Sequence, residues 1–552
     1  MPLSRNSDFL NLLFGSGVIS DRNMNVERDF VDENVDRDED GDKQGLRATE
    51  RDIQNDTNDL EQANSKSAFN SKKALWAFLV LCYSTGPTSS MVSNYVTAAI
   101  LSAANLLGHQ AGSDKPCPRR GTNISCLVKF GGGEIDYNSY TLYLRSISRA
   151  TEGVVAILTA GLADYAYYRK TMMMVSIFLF GTLALPFAGL TGQTYSHLTA
   201  LSVLYCFLTT IGGVYTVIEG SYIPIFMRSA GWFRDSRMAS NQGERNTWNK
   251  GVSISVLALV SSNIGGLTAL IIGIILVYGR GSYVQVGYFN YLLAITIGGC
   301  ITILFALLGQ YLLPSVPGKE LDRTKTRFPL LVAFRNWLKL LKSATRYSEA
   351  FKFCIGWVMW NTGYSNHLQL IGALFLQVTG FSRSSGVYSV WSFTSVIFAC
   401  MGSLSFMYLY PRLRLPVKSY AYGFLVVNIL CVLWGCIGIS DHVTIGYKHQ
   451  AEFWIEQVLF MSTSSALRAY NRAIYSSMIP ENSEAQFFGL EITLDLATGW
   501  INPLVMGIIQ DRTHNLRFPM IPNLLLMLVG LGLYSQVDIS QGIEQAKIPL
   551  SQ

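Results

Sequence analysis

The stretch PSVPGKELDRTKTRFPLLVAFRNWLKLLKSATRYSEA, residues 314–350, holds eight Lys and Arg and is too polar to lie in hydrocarbon. On each side of it the chain carries six apolar segments. Those before it are residues 73–107, 139–163, 171–193, 198–226, 252–279 and 288–313. Those after it are 351–378, 384–410, 419–440, 451–477, 487–509 and 519–537. Runs of about 20 apolar residues span a bilayer as helices at ~1.5 Å per residue. Lipid offers backbone groups no partners, so a spanning segment must be a helix or part of a closed barrel. Barrel strands would show segments of about ten residues alternating apolar and polar, and no such alternation occurs. Hydrophobic residues make up 49% and charged residues 14%, which sets the chain apart from ordinary soluble domains. The expected fold is an all-α membrane protein of about twelve transmembrane helices in two six-helix halves, residues 73–313 and 351–537. A basic linker, 314–350, joins them, and tails of 1–72 and 538–552 flank them.

Loop charge orients this arrangement. With the N-terminus in the cytosol, the inside loops carry 18 Lys and Arg and the outside loops 9, so the positive-inside bias puts both termini in the cytosol. The tail 1–72 has 16 acidic and 9 basic residues, few of them interleaved with apolar ones; such composition predicts disorder. Within it, Asp8, Leu12 and Leu13 fit the acidic-dileucine spacing that a sorting adaptor reads. The outside loop 108–138 contains the sequon Asn123-Ile-Ser125 and two cysteines, Cys117 and Cys126. Away from the cytosol these are a glycosylation site and a disulfide. The other seven cysteines fall in apolar runs and pack as small hydrophobes. In the linker, Phe334, Trp337, Leu338, Leu340 and Leu341 alternate with Arg335, Lys339 and Lys342. That pattern suits a basic amphipathic helix on the cytosolic leaflet, in contact with membrane lipids, or a connector that packs on the bundle. The basic residues lie in loops rather than in one compact domain, which argues against nucleic-acid binding. No metal-ligand spacing, cofactor fingerprint or catalytic motif is present, so neither an enzyme nor a cofactor is expected.

Ionisable residues inside spans are costly and point to function by default. In the second span Arg145, Arg149 and Glu152 share one helix face at i, i+4 and i+7 spacing. Either Arg149 holds a substrate carboxylate and Glu152 an ammonium group or proton, or the two form a self-neutralising pair. Glu219 in the fourth span is a partner for Arg149, a site for an amine, or an interfacial charge. His367 in the seventh span lies beside Asn361 and Asn366; it is a proton carrier or a hydrogen-bonded core histidine. Arg468 and Arg472 near the end of the tenth span read as snorkelling cations. After the second span, Gly161-Leu-Ala-Asp164-Tyr-Ala-Tyr-Tyr-Arg169-Lys170 resembles the signature loop of the major facilitator superfamily. There an acid pairs with cations as two pseudo-symmetric halves rock about a midplane site. Asp164, Arg169 and Lys170 are the gating residues that this resemblance implies.

The C-terminal segment reads Ile479-Pro-Glu-Asn-Ser-Glu484-Ala-Gln-Phe487-Phe488-Gly489, followed by Asp495, Pro503, Gly507 and Asp511-Arg-Thr513-His-Asn515-Leu-Arg517. It resembles the autophagy-related protein 22 family of fungal vacuolar transporters across about residues 73–536. The resemblance implies export of amino acids from the vacuole lumen after autophagic breakdown, a vacuole-membrane location, and weight on Arg472 and Asp495 as binding or gating residues. It places an alternating-access cavity between the second, fourth, fifth, seventh, tenth and eleventh spans. Departures from the family pattern at Leu496, Asn502, Thr362, Arg149 and Glu152 mark a divergent member. A transporter of a sugar or organic anion, or a nutrient sensor that transports nothing, are the competing readings.

Overall fold

The structure is a computed structural model. It describes residues 71–548 apart from 111, 114, 118–125, 166–167, 231–240, 280–283, 316–328, 380–385, 414, 441, 500 and 514. Asp8, Leu12, Leu13 and Asn123 lie outside the described residues.

The first half is built from α1 (Lys72–Leu107), α2 (Tyr137–Ala163), α3 (Tyr168–Gly189), α4 (Tyr195–Ser229), α5 (Asn241–Gly279) and α6 (Val284–Leu312). The linker contributes α7 (Pro329–Lys342). The second half begins with α8 (Ser348–Thr379), α9 (Gly386–Leu413) and α10 (Val417–Ile437). Its next helix, α11, runs from Gln450–Glu456 through a π-helical stretch, Gln457–Met461, into Ser462–Ser477. It ends with α12 (Glu484–Gly499), α13 (Ile501–Thr513), α14 (Met520–Gln536) and a short α15 (Ile539–Ala546). A second π stretch, Val92–Val96, interrupts α1. Because successive long helices run back and forth, one end of the bundle carries the linker and the other carries the loop after α1. We call these the linker face and the sheet face.

Among the described helices, seven are long and apolar enough to cross a membrane: α1, α3, α4, α5, α6, α9 and α10. α14 falls short by length and is followed by α15 at a bend of 69°. The remaining long helices, α2, α8, α11 and the α12–α13 pair, carry polar and charged residues inside otherwise apolar stretches. In hydrocarbon such residues must turn toward protein or water, and all four contribute to the lining of the central cavity described below.

Helix boundaries follow the apolar pattern closely, with two departures. α5 starts at Asn241 rather than near residue 252, because its first turns are polar and extend past the apolar stretch. The loop after α1 is not wholly irregular: β1 (His109–Gln110), β2 (Cys126–Phe130) and β3 (Gly133–Asp136) form an antiparallel sheet in that order. Cys117 and Cys126 are joined by a disulfide, their Cα atoms 5.8 Å apart, which ties the loop back to β2.

Two apolar cores follow the two halves. One gathers residues of α1–α6 together with Ala485 from the second half. The other gathers residues of α8–α14 and takes in Val217, Trp248 and Val252 from the first half. The linker helix α7 packs on the end of α2. Ala333 sits where a side chain at Gly161 would collide with it, at 2.7 Å, and Asn336 Nδ2 donates to the Tyr165 hydroxyl at 2.7 Å. Phe334 and Leu338 remain exposed beside the basic residues.

The tightest helix crossing joins α1 and α5. A Cβ at Gly86 would lie 1.9 Å from the Ser262 carbonyl oxygen, and one at Gly265 would lie 2.2 Å from that of Tyr83. These are backbone atoms and cannot swing aside, so small residues are what allow the approach. Gly86→Leu is therefore expected to destabilise the protein by at least ~3 kcal/mol, the upper end for overpacking, read as a lowered melting temperature in detergent. Gly423→Ala, at a position with nothing within 4 Å of the added carbon, should leave melting unchanged.

Candidate functional site

Between the halves lies a cavity of about 1150 Å³. The described residues that line it come from α1, α2, α4, α8, α9, α11, α12 and α13, together with Phe180 of α3 and Leu516 beyond α13. The expected wall from α5 is absent among them, and α1 and α9 take its place. The faces of α5 are taken up by the glycine-mediated crossing with α1 and by packing against α9 and α11. The cavity runs from Arg472, toward the linker face, to Leu101, Thr141 and Leu516, near the sheet face.

Its walls are ionisable on both sides. α2 contributes Arg145, Arg149 and Glu152. From the second half come Glu456, Arg468 and Arg472 on α11, and Glu491 and Asp495 on α12. Most of these are already engaged. Arg149 Nη1 donates to Glu152 Oε2 at 3.0 Å, three residues along one helix. Arg472 Nη1 donates to Glu219 Oε1 at 3.0 Å, across the two halves, with both side chains under a tenth exposed. Asp495 Oδ1 accepts from Asn361 Nδ2 at 3.2 Å and from the Thr362 hydroxyl at 3.4 Å. Glu456 Oε1 lies 3.2 Å from His367 Nε2, with the imidazole fully buried against Phe460. Neutral hydrogen-bond donors and opposite charges are what make buried ions tolerable.

At the linker face the cavity is sealed by a second charged group. Glu484, the first residue of α12, takes hydrogen bonds from Arg169 Nη2 at 2.9 Å and from Arg228 Nη1. Arg169 Nη2 also donates to Asp164 Oδ1 at 2.6 Å. The Asp164 carboxylate accepts the backbone N–H groups of Ala485 and Gln486, each at 3.0 Å. A first-half carboxylate thus caps the N-terminus of a second-half helix, where unpaired donors and the positive end of the dipole favour an anion. Arg228 donates a further bond to the Ile479 carbonyl at 2.8 Å. Burial alone would raise the Glu484 carboxyl, but the Arg228 and Arg169 charges outweigh it and hold the group well below the ordinary carboxylate range. Around this centre the halves interlock. A Cβ at Gly220 would meet the Phe488 ring at 2.5 Å, and one at Gly489 would meet Ala160 at 2.3 Å. Trp248 donates to Tyr410, and Ser255 to the Ala469 carbonyl at 2.7 Å.

The structure distributes the sequence candidates unevenly. Arg149, Glu152, Arg472 and Asp495 all line the cavity. Glu219 pairs with Arg472, not with Arg149. His367 is buried behind the wall and reaches the cavity only through Glu456. Asp164 and Arg169 belong to the seal, whereas Lys170 donates to the Leu313 carbonyl at 2.6 Å and closes the end of α6. Arg468 does not snorkel outward; it lines the cavity. Sequence reasoning assigned no role to Glu456, Glu491, Arg228 or Glu484. The one available signal was the spacing Glu484, Glu491, Asp495, which sets three carboxylates along one face of α12.

Residues 70–547 match the family model described as vacuole effluxer Atg22 like. The autophagy-related protein 22 of Candida albicans is 41% identical over 480 residues, covering 87% of this chain and 92% of that one. The autophagy-related proteins 22 of Kluyveromyces lactis and Saccharomyces cerevisiae are 23% and 21% identical, over 86% and 87% of this chain and 95% and 94% of theirs. Among solved structures, a proton:xylose symporter of the major facilitator superfamily aligns with a TM-score of 0.56 at 9% identity, over 87% of this chain and 97% of that one. A bacterial homologue of the iron transporter ferroportin, in an outward-facing state, aligns with a TM-score of 0.54 at 11% identity, over 84% and 98%. At such identities the likeness is one of fold, and the fold is that of the major facilitator superfamily.

Removing one partner of a buried ion pair leaves a charge uncompensated, at a cost of ~3 kcal/mol or more, on the order of a hundredfold in an equilibrium. Glu484→Gln should therefore shift the protein away from the form sealed at the linker face. Ala485→Cys, whose native side chain is fully buried in the seam, serves as reporter. In the Glu484→Gln background a polar maleimide added at the linker face should label it at least tenfold faster. Equal labelling rates in the two backgrounds would remove Glu484 from the seal.

Proposed function

The chain belongs to the vacuole effluxer Atg22-like family, and on that premise we propose that it exports amino acids from the vacuole lumen to the cytosol by alternating access. The observation that carries this reading is the mixed charge of the central cavity. A free amino acid brings an ammonium group and a carboxylate fixed to one carbon, and it needs both signs of partner out of bulk water. Guanidinium and carboxylate groups from both halves supply them at mid-depth. A neutral sugar would bring no counter-charge to those wall ions that have no partner within the protein, and an organic anion would use only the cations.

The loop charges support a linker face in the cytosol and a sheet face in the lumen, with both termini cytosolic. In that orientation the cavity reaches toward the lumen while Asp164, Arg169, Arg228 and Glu484 hold the cytosolic side shut. Substrate enters from the lumen; the halves then rock, the cross-half pairs Arg169–Glu484, Arg228–Glu484 and Arg472–Glu219 separate, and the cavity faces the cytosol. The work is binding and rearrangement rather than covalent chemistry. Asp8, Leu12 and Leu13 are proposed to bring a sorting adaptor to the cytosolic tail.

Vacuoles loaded with a mixture of labelled amino acids should lose at least one of them more slowly when the gene is deleted, and recover on its return. Unchanged efflux of every amino acid, with slower efflux of a labelled hexose or organic acid, would replace this cargo with another. In the proposed orientation Asn123 faces the lumen. Enzymatic deglycosylation should increase gel mobility in the wild type but not in Asn123→Gln, whereas a shift dependent on Asn55, in the sequon Asn55-Asp-Thr57 of the N-terminal tail, would invert the topology.

A further inference from the structure

Most of the ionisable residues on the cavity wall have a partner within the protein. Arg149 has Glu152, Arg472 has Glu219, Glu456 has His367, and Asp495 has Asn361 and Thr362. Among the described residues, three charged side chains on the wall make no hydrogen bond or ion pair: Arg145, Arg468 and Glu491. A charge kept in a protein cleft without a partner is expensive, and at a binding site the missing partner is the ligand.

Depth separates the three. At ~1.5 Å per residue, Arg468 lies about 13 Å from the linker-face end of α11, and Glu491 lies about 10 Å from the linker-face start of α12. By the same rise, Arg145 lies about 27 Å from the linker-face end of α2. Arg468 and Glu491 therefore share one level, on α11 and α12, and Arg472 and Arg468 are both near enough to act on Glu491 electrostatically. Arg145 stands far above them, toward the sheet face, and cannot join them on one small molecule.

We propose that Arg468 and Glu491 form the substrate subsite of this transporter, Glu491 taking the ammonium group and Arg468 the carboxylate of a zwitterion. The proposal rests on the amino-acid reading above and changes which residues do the binding. The Arg149–Glu152 pair, conspicuous in the sequence, is satisfied internally and is structural. Arg145 is the cation that first meets the carboxylate on its way in.

The position of the pair has a further meaning. Arg468 and Arg472 are four residues apart on α11, and Glu484 and Glu491 are seven apart on α12, so each couple lies on one helix face. Each helix thus carries one unpartnered cavity charge and one charge of the cross-half contacts: Arg472 holds Glu219, and Glu484 holds Arg169 and Arg228. A ligand that draws Arg468 and Glu491 together pulls on both helices that hold the linker face shut.

The test uses the purified full-length protein and each of the twenty proteinogenic L-amino acids, scored by ligand-induced thermal stabilisation. The best of them is then compared with its N-acetyl and methyl-ester derivatives. The wild type should prefer the free amino acid to both. Glu491→Gln should weaken binding on the order of 10–100-fold, the worth of a hydrogen bond to a charged group, and should abolish the preference over the N-acetyl form while keeping that over the ester. Arg468→Gln should do the reverse. If either variant melts early without ligand, Glu491→Asp or Arg468→Lys takes its place, and the same preference must weaken. Variants that bind like the wild type would overturn this assignment and leave amino-acid export standing. A wild type stabilised by none of the twenty would overturn both readings.

Discussion

Glu484 held between Arg169 and Arg228 is the interaction on which the described conformation depends. It is the first residue of α12, and among the described residues no covalent cross-link joins the halves at this point. Two guanidinium groups from the first half converge on one carboxylate of the second, while Asp164 of the first half caps the same helix. The four side chains sum to zero charge and are each less than a tenth exposed. Such a cluster is specific rather than strongly stabilising, because desolvation offsets much of the Coulomb attraction. That balance suits a contact that forms and breaks repeatedly, as the proposed alternating access requires. A seam made only of apolar surface would be less particular about register, and a bonded one would not open.

The helices were legible because hydrocarbon imposes a length and a composition on whatever crosses it. The second span, expected at 139–163, is found at Tyr137–Ala163, and the amphipathic helix expected around Phe334 to Lys342 is found at Pro329–Lys342. The start of α5 was not legible, since its turns beyond the apolar stretch carry no periodic signal. The Asp164–Arg169 contact was readable because both residues sit in one short motif. Its partners were not. Arg169–Glu484, Arg228–Glu484 and Arg472–Glu219 join residues 315, 256 and 253 positions apart, and nothing in a single sequence states which cation meets which acid over such separations. For the same reason Arg149 and Glu152 drew attention as a site while Arg468 and Glu491 did not.

Membrane-span statistics and function pull in opposite directions in this chain. The helices easiest to recognise, such as α6 and α10, face lipid with continuous apolar surface and contribute nothing to the cavity wall among the described residues. Those that depart from a simple span, α2, α8, α11 and α12–α13, all contribute to the cavity wall, alongside α1, α4 and α9. A span that is poor by composition is tolerable only where its polar face meets water or another polar group. The departures from ideality therefore map the aqueous interior.

The two π-helical stretches, Val92–Val96 in α1 and Gln457–Met461 in α11, carry a consequence of phase. A π turn inserts one residue into the α-helical count, which offsets the remainder of the helix by about 100° of rotation. In α11 the insertion lies between Glu456, which meets His367, and Arg468, which faces the cavity. One helix can thus aim two charges whose spacing would otherwise send them to different walls. In α1 the equivalent stretch carries Val92, Ser93 and Asn94 into the cavity lining. Losing a single residue from either stretch would leave a good membrane helix by composition and length, yet turn its polar side from the aqueous interior toward lipid.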